Sequence, residues 1–180
     1  GPGLTHDSEV AAAVQSIIRT VTLPVLLDAD GINAFSDTPE ELRKHAGPLL
    51  CTPHKGEWKR VFGELPQQPS ALISRIQEVV QKYNIVILLK GSPTIVAEPS
   101  GSVFILPFGN SSLAKAGSGD VLSGIITSLI AQGSSLIAAA VLGCYIHGET
   151  AVLLSREQSE YSVNATDIIE QMYRVIQTLV

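Results

Sequence analysis

"SALISRIQEVVQKYNIVILLKG", Ser70 to Gly91, changes its apolar period part-way through. Apolar residues recur at helical spacing up to Tyr83 and predict a helix over Ser70–Tyr83, whereas "IVILL" is continuously apolar, as in a strand covered on both faces. A helix that feeds such a strand is the repeating step of a parallel α/β sheet. The same alternation extends in both directions. "PVLLDAD", "GPLLCTPH", "TIVAE" and "SVFILP" read as further strands, and helices fit at about Asp7–Thr20, Pro39–His45, Gly56–Phe62, Asp120–Gln132, Ser135–Ser155 and Ala165–Leu179. "TPEE", from Thr38, has the form of an N-cap with Pro39 at the first helical position and Glu41 closing a capping box. "EPSG", from Glu98, reads as the turn of a β-hairpin. The expected class is α/β with a mainly parallel sheet. No repeat, low-complexity segment or linker marks a boundary, so residues 1–180 read as a single domain.

Composition narrows the possible functions. A chain of 180 residues can bury about 70% of its unfolded surface, and 45% apolar residues are enough to build a core. A net charge of −5 argues against a nucleic-acid backbone as partner. The longest apolar run, "LIAAAVLGCYI" from Leu136, is shorter than the ~20 residues of a membrane helix and reads as a buried core helix, so no membrane partner is expected. Cys51 and Cys144 have no paired spacing, and no basic stretch followed by an apolar run opens the chain, which makes the cytoplasm the expected compartment.

In open α/β sheets, ligands bind beyond the carboxyl ends of the strands. Polar residues gather at those positions here: Asp28, Asp30 and Asn33 after the first strand, Thr52, His54 and Glu57 after the second, Lys90, Gly91, Ser92 and Thr94 after the third. Asp28 and Asp30, two apart on a strand, would share a face and could suggest a metal pair, but the preferred reading is that one caps or orients a loop while the other faces the cleft. His54 and Glu57, at i and i+3, could be ligands, but no H-E-x-x-H accompanies them, so zinc is not expected. "HGE" at His147 has the H-x-E form of zinc deaminases without the following P-C-x-x-C, and His147 reads as a helical residue. Neither a P-loop nor a dinucleotide fingerprint is present. "KAGSGDVLSG", Lys115 to Gly124, places Asp120 in the first turn of an amphipathic helix. An acidic residue there suits the helix dipole as a cap; equally, Gly117 and Gly119 clear side chains from a helix start, where an anion can approach backbone N–H groups.

The ordered blocks "GPGL", "LDADGIN", "TPHKGE", "LLKGSPTIVAEPSG" and "GNSSLAKAGSGDVLSGIITSLIAQG" together resemble the ADP/ATP-dependent NAD(P)H-hydrate dehydratase family of the ribokinase-like superfamily. The resemblance implies a three-layer α/β/α sandwich and a repair activity. The S-form of NAD(P)H hydrate is dehydrated at the expense of ADP, or ATP, with Mg2+, by phosphorylation of the substrate hydroxyl and loss of phosphate. By the same resemblance, Asp120 matches the catalytic aspartate, and Lys90, Gly91, Ser92, Pro93, Thr94, Gly117, Ser118 and Gly119 the nucleotide-binding positions. Gly3 and His54 match positions that touch the hydrate, and Asp30, Asn33 and Glu57 would line the cleft with Asp120. No metal ligands are implied.

The blocks depart from the family's usual forms: "GPGLT" for "GPGLG", "DADGIN" for "DADALN", "TPHKGE" for "TPHPGE" and "GNSS" for "GNPG". The family's opening strand and helix before "GPGL" have no counterpart, so the chain reads as the later part of such a domain. It is expected to form a homo-oligomer or to associate with a chain supplying that segment. A ribokinase-like small-molecule kinase and an inactive nucleotide-binding fragment are the competing expectations.

Overall fold

The computed structural model of the chain describes residues 1–5 and 7–179. They form two compact units, Gly1–Ile105 and Leu106–Val180, each taken by itself below.

A five-stranded sheet organises the first unit, in the order β1 (Val25–Leu27), β2 (Leu49–Cys51), β3 (Val86–Leu89), β4 (Thr94–Ala97) and β5 (Val103–Leu106). The first three strands are parallel, with Leu27 opposite Cys51 and Cys51 opposite Ile87; β4 returns antiparallel to β3, with Leu89 opposite Ile95. Every residue of β2 and β3 is buried, as the unbroken apolar runs predict. The sheet is therefore mixed: its first three strands are parallel, as expected, and the return at β4 is antiparallel. "EPSG" forms its turn, with the Glu98 N–H donating to Ser102 O and the Gly101 N–H to Glu98 O.

The helices of this unit are α1 (Ser8–Thr20), the single-turn α2 (Asp30–Asn33), α3 (Lys55–Phe62) and α4 (Pro69–Tyr83). Asn84, left-handed at φ 55°, stops α4 and turns the chain into β3. Ile76, Val79, Val80 and Tyr83 of α4 share a core with Ile18, Phe35, Trp58 and Ile87. Phe62 stacks obliquely between Trp58 and Tyr83, at centroid distances of 4.9 and 5.7 Å. Burying each of these large side chains contributes roughly 1.5–3 kcal/mol.

Two local expectations are corrected. Pro39–Lys44 is a 3₁₀ helix, and Thr38 makes no side-chain cap. The Glu41 carboxylate that would close the box is instead held by Arg19 and, at 2.6 Å, by Lys44. Nor do Asp28 and Asp30 share a strand face: β1 ends at Leu27, Ala29 adopts φ 50° and ψ −123°, and Asp30 opens α2. That left-handed φ at a residue with a Cβ turns the chain sharply between the two carboxylates.

In the second unit, α6 (Leu136–Glu157) packs against α5 (Ser118–Ala131) and α7 (Ala165–Ile176). The helix α7 ends three residues earlier than its apolar pattern predicts. Helices α5 and α6 approach closely at Gly143, where a Cβ would lie 2.5 Å from Ile126 Cγ1. Helix α6 runs past its apolar start to 22 residues, with a mean hydropathy of 1.6 over its most apolar window, so by length and composition alone it could cross a membrane. Its buried His147 and Thr150 and its packing against two helices are those of a core helix. Each unit holds one free, buried cysteine: Cys51 in β2 and Cys144 in α6.

Candidate functional site

In the first unit, the polar residues beyond β1, β2 and β3 come together as two joined groups. Lys90 follows β3 and bridges in parallel to His54, with its backbone N–H donating to Pro53 O at 2.8 Å. Its ammonium lies 2.7 Å from Asp28 Oδ1 and 3.8 Å from Glu57 Oε2; Asp28 is 2% exposed and Glu57 4%. An almost fully buried carboxylate is tolerable here because an ammonium meets it.

His54 caps α3. Its Nδ1 accepts from the N–H groups of Gly56 and Glu57, at 2.9 and 3.1 Å, while Glu57 Oε2 accepts from the His54 N–H at 2.7 Å. The capping box thus stands at "HKGE" rather than at "TPEE", and it fixes the Nδ1 lone pair so that Nε2 lies 3.3 Å from Glu57 Oε1. The second group starts from Asp30, which accepts from the Thr5 N–H at 3.1 Å and from Asn33 Nδ2 at 3.3 Å. Arg60 donates to Asn33 Oδ1 at 3.0 Å, a partner the sequence reading did not single out. Gly3, two residues before Thr5 and at φ 77°, is exposed, with open space where a Cβ would project. The two groups meet through the backbone at Gly31, whose N–H donates to Asp28 O.

Residues 91–94 make a tight turn into β4. The Ser92–Pro93 peptide is cis, and Thr94 Oγ1 donates to Gly91 O at 3.1 Å. Gly91, Ser92 and Pro93 are exposed.

In the second unit, Gly117 is the N-cap of α5 at φ 84°, a conformation that favours glycine. Ser118 and Gly119 form the first turn, and Asp120 follows on its exposed side. Among the described residues, Asp120 has no hydrogen-bond or ion-pair partner, so its carboxylate is not used to cap the helix. Two side chains hold this turn. Lys115 Nζ donates to Tyr161 O at 2.7 Å and also to Val163 O, and Ser118 Oγ shares a 3.2 Å hydrogen bond with His147 Nε2. Burial lowers the His147 pKa to about 4, outweighing a hydrogen bond with the Ser118 backbone that raises it, so the ring is neutral near pH 7. Lys115, the cation nearest the turn in sequence, is therefore occupied in tying the turn to residues 161–163.

Among the described residues, no group of three or more His, Cys, Asp or Glu side chains is placed to hold a metal ion. Asp28 meets Lys90, Asp30 meets Thr5 and Asn33, and His54 and Glu57 are engaged in the cap.

A family model described as NAD(P)H-hydrate dehydratase matches residues 1–174. The chain belongs to that family. The family assignment agrees with the resemblance drawn from the five sequence blocks. Among curated relatives, a bifunctional NAD(P)H-hydrate repair enzyme of Moorella thermoacetica is 37% identical over 99% of this chain and 34% of its own length. One from Mycobacterium tuberculosis is 41% identical over 74% of this chain and 28% of its own. Among solved structures, the ADP/ATP-dependent NAD(P)H-hydrate dehydratase from Bacillus subtilis, co-crystallized with ATP/Mg2+ and soaked with CoA, matches with a TM-score of 0.86 and 31% identity. That match covers 100% of this chain and 65% of the other. The chain thus spans about a third of the length of the curated relatives it matches. A ribokinase-like superfamily protein of Enterococcus faecalis superposes with a TM-score of 0.82 at 25% identity, and the fold of this family member is the ribokinase-like α/β fold.

Proposed function

We propose that this chain dehydrates NAD(P)H hydrate at the expense of an adenine nucleotide, ADP as first choice, acting on the S-form of the hydrate. The observation that carries the reading is the start of α5. A glycine N-cap at φ 84° and a glycine at the second helical position open the N–H groups to an anion, and the adjacent Asp120 carboxylate is committed to no internal partner among the described residues. Such a carboxylate can take the proton from the substrate hydroxyl as its oxygen bonds to the terminal phosphorus and the bond to the rest of the nucleotide breaks. The N–H groups of the turn would meet the charge on the transferring phosphoryl oxygens. Loss of inorganic phosphate from the ester, with a proton from the neighbouring ring carbon, then restores the nicotinamide double bond.

In this reading, the turn at 91–94 takes the adenosine part of the nucleotide, while Gly3, His54, Asp30, Asn33 and Glu57 belong to the hydrate side. Lys90 is held by Asp28 and acts by fixing the start of that turn. The described residues do not form a cage of His, Cys, Asp or Glu side chains for Mg2+; the ion would accompany the nucleotide phosphates. Two free buried thiols suit a reducing compartment, the cytoplasm.

The test is incubation of the purified chain with the hydrate and ADP or ATP. Recovery of the dihydronicotinamide absorbance with equimolar phosphate release is expected. Accumulation of a stable phosphate ester would instead identify a small-molecule kinase, and nucleotide binding without turnover an inactive fragment.

A further inference from the structure

We propose that His147 is a positioning residue of the proposed nucleotide-dependent reaction: through Ser118 it holds the first turn of α5 in the shape that receives the nucleotide's phosphates. The inference rests on the function proposed above. His147 stands in the middle of the apolar helix α6, 5% exposed, and its Nε2 meets the Oγ of Ser118, 4% exposed, at 3.2 Å. A buried imidazole and a buried hydroxyl that satisfy each other fix both side chains, because breaking the bond leaves two polar groups without water. Ser118 is the first residue of α5, between Gly117 and Gly119, and Asp120 is two residues further on. A rotation of that turn would therefore move its N–H groups and the carboxylate together.

The next residue of α6 adds a second constraint. At Gly148, a Cβ would lie 2.7 Å from the backbone nitrogen of Gly109, so the 108–109 backbone lies directly on the helix beside His147. This close approach fixes the helix backbone from which the His147 side chain extends. Being neutral above about pH 5, the ring offers the same hydrogen bond throughout the physiological range.

The experiment compares the full chain with three variants at position 147, measuring the dissociation constant of ADP directly and kcat and KM wherever the hydrate is turned over. His147→Gln can place its amide nitrogen near the position of Nε2; His147→Asn reaches only as far as Nδ1; His147→Phe fills the space without a polar atom. Expected are a rise of at least ~5-fold in ADP dissociation constant for the Phe and Asn variants, an unchanged KM for the hydrate, and recovery to within about 2-fold in the Gln variant. Should the Phe variant fail to fold, the Gln and Asn pair decides by the same contrast. Equal ADP affinity in Gln, Asn and wild-type chains would overturn the proposal, and so would a loss of thermal stability without a change in ADP affinity. A wild-type chain that binds ADP without turnover, yet shows the same ordering of variants, supports this inference while removing the dehydratase reading.

Discussion

The Asp120 carboxylate and the Asp28 carboxylate show how residues of one type serve different ends. Asp120 lies on an exposed helix start with no internal partner among the described residues, so its removal tests chemistry rather than folding. Asp120→Asn keeps the shape and removes the base; turnover of the hydrate should fall by at least ~10²-fold with ADP affinity little changed, measured by phosphate release and by calorimetry. Near-normal turnover would return Asp120 to a dipole role. Asp28 is the reverse case, buried against the Lys90 ammonium at 2.7 Å. Lys90→Met removes the ammonium that meets that carboxylate and should lower stability by roughly 1–3 kcal/mol, because Lys90 keeps some contact with water and Asp28 has interactions besides this one. Urea unfolding checks this, and a midpoint within error of wild type would show that another group compensates the charge.

At the level of elements, close backbone approach is what the glycines of α6 permit. Gly148→Ala would drive a Cβ into the backbone nitrogen of Gly109 at 2.7 Å, and neither backbone can give way as a flexible side chain could. A loss of roughly 1–3 kcal/mol in stability is expected by thermal or urea unfolding, the range for overpacking; an unaffected variant would show that the 108–109 segment yields freely. The elements themselves were legible in the sequence, since the strands and long helices follow from period and from runs such as "IVILL". Caps were legible only in part. His54 is not among the usual N-cap types, so its letters do not signal a capping box, whereas "TPEE" has the right letters, but Glu41 is drawn to Arg19, which is remote in sequence. The turn at Ala29 was hidden because a left-handed φ at alanine is rare, and with it went the expectation that Asp28 and Asp30 face one way. Pairings such as Ser118 with His147, or Asn33 with Arg60, join residues far apart in the chain and leave no periodic trace. The Gly-Ser-Gly-Asp block was readable because its chemistry is contiguous.

For the molecule as a whole, acid should be a specific weakness. The folded His147 pKa, about 4, lies below the ordinary 6.5, so the unfolded chain binds the proton first. The stability contributed by keeping the ring neutral is therefore complete above about pH 6.5 and is lost as the pH falls toward 4. Between pH 7 and pH 4.5 this one group accounts for about 2–3 kcal/mol. Urea titrations at the two pH values should show that loss in wild type and a smaller one in His147→Gln; an equal pH dependence in both would assign the acid sensitivity to other groups.

The two cysteines can serve as clocks. Burial pushes both thiols up to about 12, with the neighbouring Asp28 adding to the rise at Cys51, so neither should react while its surroundings stay closed. Because one lies in each compact unit, alkylation under native conditions, resolved by mass spectrometry, times the opening of each unit separately. Equal labelling rates at Cys51 and Cys144, slowed equally by ADP, are expected if the chain breathes as one cooperative body. Rates that differ by orders of magnitude would show that half of the chain can come apart while the other half keeps its structure.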